Sequence, residues 1–197
     1  MSENGKPSIL IGVPTNGDMK MLTVFSLVMA TNMLRSLGHD MTFTCREGPY
    51  THWNREHLVQ DAMEAGVDYL MFIDTDVVFP VEAIPKLIAH DKDIVGGMYN
   101  LKQDEPVTTI KLWNDDRSEF RALKDEPLPA GLFRVAALPT GFMLVKASVF
   151  ERLSFPYFPC DFGQGEDVSF CLKAQEAGIE VWCDPTIQIK HIGNKAY

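Results

Sequence analysis

Tyr69-Leu-Met-Phe-Ile-Asp74-Thr-Asp76-Val-Val-Phe-Pro80 is the stretch whose reading decides the fold. Five apolar residues, Tyr69 to Ile73, have the length and composition of a strand buried on both faces, as in a parallel sheet. The run then stops at two acids. Asp74 and Asp76 are separated by one residue, so in extended chain both carboxylates leave the same face with Cα atoms ~6.6 Å apart. Such a pair can hold a hard divalent cation, at the carboxyl end of a strand where open α/β sheets bind their ligands. Read alone, an Asp-x-Asp could equally cap a turn.

Working outward, Ser8–Val13 reads as a first strand with Pro14-Thr-Asn-Gly-Asp18 as its exit loop. A helix follows from about Met19 to Leu37, with Met21, Val24, Phe25, Val28, Asn32 and Arg35 marking one face at helical spacing. Met41–Cys45 is a second strand with the exit loop Arg46–Tyr50, and Asn54–Gly66 is a helix with Leu58, Val59, Ala62 and Met63 inward. After the acids, Pro80 opens a helix with Ala83, Ile84, Leu87 and Ile88 inward, and Asp93–Tyr99 is a fourth strand. This βαβαβαβ order implies right-handed crossovers and a mostly parallel sheet flanked by helices.

Beyond Asn100 the pattern changes. Val107–Trp113, Phe120–Leu123 and Leu132–Ala137 read as shorter strands of a small mixed or antiparallel C-terminal region, and Gly141–Lys146 as a return to a buried strand. Ser148-Val-Phe-Glu151 has a capping-box pattern. Gly165–Gly178 is the last helix, apolar at Val168, Cys171 and Leu172, and strands at Glu180–Cys183 and Thr186–Ile189 lead to His191. The fold class expected is α/β, in a single domain over residues 1–197.

Composition narrows the function. The chain has 197 residues, 46% hydrophobic and 23% charged, which suits one core of ordinary globular type. A net charge of −9 argues against a broad nucleic-acid or anionic-membrane surface. The polar start carries no signal-peptide pattern, and the most apolar window, Met21–Leu37, is interrupted by Thr23, Ser26, Thr31, Asn32 and Arg35, so no membrane span is expected. The expected setting is cytoplasmic, with Cys45, Cys160, Cys171 and Cys183 as reduced core or near-core thiols. Four loops should converge at the carboxyl edge of the sheet: Pro14–Asp18, Arg46–Tyr50, Asp74–Asp76 and Gly96–Gly97. No phosphate-cradling glycine pattern follows the first strand, which shifts the neutralising of a diphosphate onto a metal.

The strand ending Asp74-Thr75-Asp76, the segment Pro139-Thr-Gly-Phe-Met-Leu-Val145, the Gly165-Glu166-Asp167 helix start and the late His191 together resemble a GT-A-type glycosyltransferase of the family 2-like group. The likeness runs from Ile9 to His191. It implies a GT-A-like fold, a nucleotide-binding half over about residues 8–100 and an acceptor and catalytic half over about 101–197. Its implied activity is metal-dependent, inverting transfer of a hexosyl or related sugar from a UDP- or GDP-sugar to an acceptor hydroxyl on a glycan or other compound. Pro14, Thr15, Asn16, Thr75 and Arg46 would hold the nucleoside, and Arg55 would reach the donor. Asp74, Asp76 and His191 would bind Mn²⁺ or Mg²⁺, and Asp167 would be the general base, with Glu166 as the fallback.

Plainer readings stand beside each residue. Glu166 and Asp167 suit any helix N-terminus, a preference worth about 0.3–1 kcal/mol that would keep Asp167 ionised. His191 could be an ordinary strand-end histidine, and Arg55 could pair with Glu56 or Asp61. His39, His52, His57 and His90 read as surface or local structural residues. Trp53, Trp113 and Trp182 could stack on a base or sugar or pack in the core. Gly96-Gly97 could admit a sugar or mark a bend. Two alternatives remain: a non-catalytic nucleotide- or glycan-binding domain of the same fold, and a nucleotidyltransferase, against which the missing lysine-bearing glycine loop argues.

Overall fold

A computed structural model describes residues 5–101, 107–114, 116, 119–123, 127–160 and 164–193. Strands β1 (Ile9–Thr15), β2 (Met41–Glu47) and β3 (Tyr69–Ile73) alternate with helices α1 (Met21–Ser36) and α2 (Thr51–Ala65). The short β4 (Val77–Val78), helix α3 (Ala83–Ala89) and β5 (Ile94–Met98) follow. Then come β6 (Lys111–Trp113), β7 (Phe120–Ala122), β8 (Phe133–Arg134), β9 (Phe142–Lys146), α4 (Ala147–Arg152), α5 (Glu166–Glu176), β10 (Val181–Gln188) and β11 (Lys190–His191).

Seven strands form the central sheet in the order β2-β1-β3-β9-β5-β10-β8. The fold is the helix-flanked α/β arrangement expected, with one departure in the middle. β5 does not sit beside β3: β9 lies between them and runs antiparallel to both, pairing Ile73 with Phe142 and Ile94 with Val145. β9 is buried from Phe142 to Val145, so its apolar run reads like that of a parallel strand and gives no sign of direction. The two strands expected near the C-terminus are one, β10, with a register irregularity between Cys183 and Gln188. β6 and β7 pair apart from the main sheet, and β11 pairs with β4.

Each face of the sheet has its own core. On one face, Leu27, Ala30 and Leu34 of α1 and Ile84 and Leu87 of α3 pack with Ile11, Met71 and Leu144. On the other, Leu58, Val59 and Ala62 of α2 pack with Phe150, Phe170 and Ala174 of α4 and α5. All five residues of β3 are buried between them. α1 turns a different face inward from the one expected: Thr23, Ser26, Leu27, Ala30 and Leu34 are buried, while Met21, Val24, Phe25 and Val28 are exposed. This helix is apolar nearly all round, so periodicity does not choose its face. Close approach does, with Ser26 Oγ accepting from the Phe79 amide at 3.3 Å.

Smaller corrections have equally local causes. α2 begins at Thr51 rather than Asn54, which puts Asn54, Arg55 and Glu56 on its buried side and leaves Met63 partly exposed. The Ser148–Glu151 capping box does not form: Lys146 occupies the N-cap position without a side-chain cap, and Ser148 is exposed inside α4. α5 buries Ser169, Phe170, Cys171 and Ala174, while Val168 and Leu172 are only partly buried. Cys171 and Cys183 are buried thiols as expected, whereas Cys45, on the edge strand, and Cys160 are exposed. Among the described residues, no helix is long and apolar enough to cross a membrane.

Candidate functional site

Three loop ends meet at the carboxyl edge of β1, β2 and β3 and line a cleft of about 240 Å³: Pro14–Asn16, Gly48–Pro49 with Thr51, and Asp74–Asp76. Asn54 fixes two of them, its Nδ2 donating to the carbonyls of Thr15 and Gly48, each at 3.1 Å. The third is fixed from both sides, because Lys20 N donates to Thr75 O at 2.9 Å and Asp74 N to Gly141 O at 3.0 Å. The cleft therefore lies where α1 and α2 depart to opposite faces of the sheet, the position at which α/β sheets bind ligands. Gly96 and Gly97 take no part in it. A Cβ on Gly96 would lie 2.6 Å from Phe142 O and one on Gly97 2.6 Å from Ile189 Cδ1, so this pair serves close packing against β9 and the Ile187–Ile189 stretch.

Arg55 organises the acids. It is 3% exposed, and its Nη2 donates to Asp74 Oδ1 at 2.8 Å while Nη1 pairs with Glu166 Oε1. Burial works against this charge, but Asp74 and Glu166 outweigh it and raise the guanidinium above its ordinary pKa. Arg55 neither lines the cleft, where it would reach a donor, nor takes the plainer pairing with Glu56 or Asp61: its buried bridge joins the end of β3 to the start of α5, with Glu166 lying 111 residues from Arg55 in the chain. Arg46 takes Asp61 instead, donating from Nε at 2.7 Å, and does not line the cleft.

Tyr99 completes the arrangement, and nothing in the sequence signals it. It is buried, and burial together with the nearby Asp74 pushes its hydroxyl well above the usual tyrosine range. A Cβ on Gly141 would collide with the Tyr99 hydroxyl and lie 2.5 Å from Asp74 Oδ2. The glycine in Pro139-Thr-Gly141 is thus a space kept for a carboxylate and a phenol. Gly141→Ala is expected to displace Asp74 and to lower the melting temperature by roughly 2–10 °C, for an overpacking cost of about 1–3 kcal/mol. An unchanged melting temperature would show that Asp74 and Tyr99 tolerate the shift.

At the other acid, β11 brings the C-terminal histidine to the end of β3. His191 pairs with Val77 in the two-stranded ladder, and Ile192 N donates to Asp76 O at 2.7 Å. His191 Nε2 lies 3.3 Å from Asp76 Oδ1, with the Tyr99 ring edge-on at 5.0 Å between centroids. His191 Nδ1 lies 3.3 Å from Asn100 O, and a carbonyl can only accept, so Nδ1 carries a proton. Nε2 then turns its acceptor side to a carboxylate, an arrangement that a cation between the two would relieve. Adjacent ligands of an octahedral Mg²⁺ are ~3 Å apart, so the observed separation fits two neighbouring positions on one ion. The carbonyl behind Nδ1 is the usual partner of a metal-ligating imidazole. Asp74, expected as a third ligand, is instead held by Arg55. Among the described residues no three acid, histidine or cysteine side chains gather into a metal cage. Two protein ligands completed by phosphate oxygens and water are what Mg²⁺ takes in nucleotide sites.

Asp167 opens α5 next to Glu166, with its Oδ1 accepting from Val168 N at 2.7 Å. The helix end is expected to hold it ionised, but its pKa is raised: burial dominates, and the neighbouring charges of Glu166 and Asp74 add to it against the Val168 amide and Arg55. Other candidates have local partners. Trp113 Nε1 donates to Gln175 Oε1 at 2.9 Å, and Lys92 Nζ lies 4.3 Å from the Trp182 ring centroid. His39 Nδ1 is 3.1 Å from Pro7 O and His90 Nε2 is 2.8 Å from Asp184 Oδ2.

Comparison with solved structures places the fold. A197 from STIV superposes with a TM-score of 0.67 at 18% identity, covering 94% of this chain and 86% of that one. GalNAc-T7, solved with UDP, GalNAc and Mn²⁺, gives 0.63 at 12% identity over 97% of this chain and 45% of its own. Mannose-1-phosphate geranyltransferase from Thermus thermophilus gives 0.52 at 10% identity over 93% and 76%. At such identities the likeness establishes a shared GT-A-like fold. No protein-family model and no curated protein matches the sequence.

Proposed function

We propose that the protein is a metal-dependent glycosyltransferase that moves a sugar from a UDP- or GDP-linked donor to an acceptor hydroxyl. The observation that carries this reading is the meeting of Asp76 with His191 at the mouth of a cleft whose next acid, Asp74, is tied through Arg55 to the helix bearing Asp167. The GT-A-like fold supports it, as does the binding of UDP, a sugar and Mn²⁺ by one protein that shares that fold.

In this reading the Pro14–Asn16 and Gly48–Pro49 loops hold the nucleoside. Asp76 and His191 would ligate Mn²⁺ or Mg²⁺, which supplies a positive charge for the departing diphosphate. Asp74, anchored by Arg55, faces the ribose and keeps the floor of the cleft rigid. Asp167 accepts the proton of the acceptor hydroxyl as that oxygen attacks the anomeric carbon and the bond to the diphosphate oxygen breaks. A base used in this way in a single displacement inverts the anomeric centre. Its raised pKa sets the acid limb: transfer falls as pH drops through a value above the ordinary aspartate range, because the protonated form cannot accept.

Calorimetry of UDP and GDP, with and without Mn²⁺, tests the reading. Binding of one nucleotide should require the metal, and His191→Ala should weaken it by about 10–100-fold. Absence of metal-dependent binding to either would remove the donor site. Release of pyrophosphate from a nucleoside triphosphate, rather than of a nucleoside diphosphate from a sugar donor, would reassign the chemistry to nucleotidyl transfer.

A further inference from the structure

A second concavity, of about 450 Å³, lies between α2 and the Phe155–Tyr157 segment. Trp53, His57 and Gln60 supply one wall at i, i+4 and i+7, the spacing that puts side chains on one helix face. Phe155 and Tyr157 supply the other. Trp53 is 50% exposed and Phe155 63% exposed, a large apolar surface left open to water. These rings are not loose: Tyr157 is wedged edge-on between Phe150 and Phe155, at 5.3 Å and 6.3 Å between centroids.

The groove also contains a buried charge. Glu56, 6% exposed, lines it, and its Oε1 accepts from Phe158 N at 2.6 Å. Its Oε2 has no hydrogen-bond partner among the described residues, although it is closed to bulk water. No lysine or arginine lines the groove, so a phosphate or nucleotide would meet only Glu56 and repulsion. An apolar peptide side chain would cover the rings but leave the polar groups of His57 and Gln60 without partners. A pyranose meets both demands, since its C–H faces lie flat on aromatic rings while its hydroxyls exchange hydrogen bonds with His57 and Gln60.

We propose that this groove binds a saccharide and is the acceptor subsite of the enzyme. The acceptor role, but not the saccharide binding, rests on the transferase reading above. Two connections link the groove to the reaction centre: Arg55, the residue before Glu56, bridges Asp74 and Glu166, and Phe158, whose amide donates to Glu56, stacks at 4.7 Å between centroids on Phe170 of the helix that carries Asp167. A sugar chain seated on Trp53 and Phe155 would be held against the turn of α2 that organises the catalytic acids.

The test follows the indole N–H resonance of Trp53, assigned by its loss in Trp53→Ala, during titration with maltotriose, cellotriose, chitotriose and mannotriose at millimolar concentration, without nucleotide or metal. At least one trisaccharide should shift it. Trp53→Ala and Phe155→Ala, both surface changes, should weaken that binding by about tenfold or more when measured by calorimetry. If none of the four sugars moves the Trp53 signal, or if Phe155→Ala binds as tightly as the parent, the groove is not a saccharide site. Metal-dependent UDP or GDP binding on the same sample separates the two readings. Nucleotide binding without sugar binding overturns this proposal alone. Sugar binding without nucleotide binding keeps the saccharide site and removes its acceptor role.

Discussion

Asp167→Asn should lower kcat for sugar transfer by about 10²–10⁴-fold while leaving metal-dependent nucleotide affinity unchanged. The amide keeps the shape and the contact to the Val168 amide but cannot take a proton from an acceptor. The same substitution should raise the melting temperature at neutral pH, and the sign follows from linkage. A carboxyl whose folded pKa is raised binds its proton more tightly folded than unfolded, so the fold loses stability as pH rises through that window and carries the full penalty above it. Removing the charge removes the penalty. Lower kcat with higher Tm is the trade expected of a strained functional group. A variant with normal kcat would transfer the role to Glu166, and one with lower Tm would make Asp167 a structural helix-end acid.

Arg55→Leu should cost about 3 kcal/mol of folding stability, read as a shift in the urea midpoint at constant slope. The guanidinium is buried and the two carboxylates only partly so, which leaves Asp74 and Glu166 facing each other without a cation. Arg55→Lys restores the charge but not the fork. A single ammonium can neutralise the pair yet cannot hold both acids in the observed directions, so stability should recover in part while nucleotide binding stays weak. Full recovery of both by lysine would mean that net charge is all that the position requires.

Much of this fold is legible in residue patterns that are strictly local. Tyr69–Ile73 followed by two acids gives a buried strand and its functional end together, and β1, β2, α2 and α3 follow from short periodic runs. The failures share a cause: each depends on a partner distant in the chain. α1 offers apolar residues on most of its circumference, so its inward face is chosen by the close approach of Phe79 at Ser26 and not by its own periodicity. β9 carries no mark of its direction because it is buried on both faces. The resemblance sends Arg55 to the donor and its sequence neighbours offer it Glu56 or Asp61, but its partner Glu166 comes from 111 residues away. Tyr99 follows an ordinary strand, and only the space kept by Gly141 shows what it faces. For Asp167 the helix terminus is visible in sequence, but the burial that overrides it is not.

The strand inserted between β3 and β5 has a consequence for how the chain is made. When a ribosome has released the first hundred residues, β1, β2 and β3 are complete, yet β3 and β5 each still lack the neighbour that β9 supplies. The amide of Asp74 waits for the carbonyl of Gly141, and the imidazole for Asp76 arrives within the last residues described. Fragments of those first hundred residues expose one edge of β3 and both edges of β5, which also waits for β10, and hold no finished cleft, a situation in which unfinished chains stick to one another. The cleft is finished in two stages, when the returning β9 closes the gap and when β11 later brings His191 to Asp76.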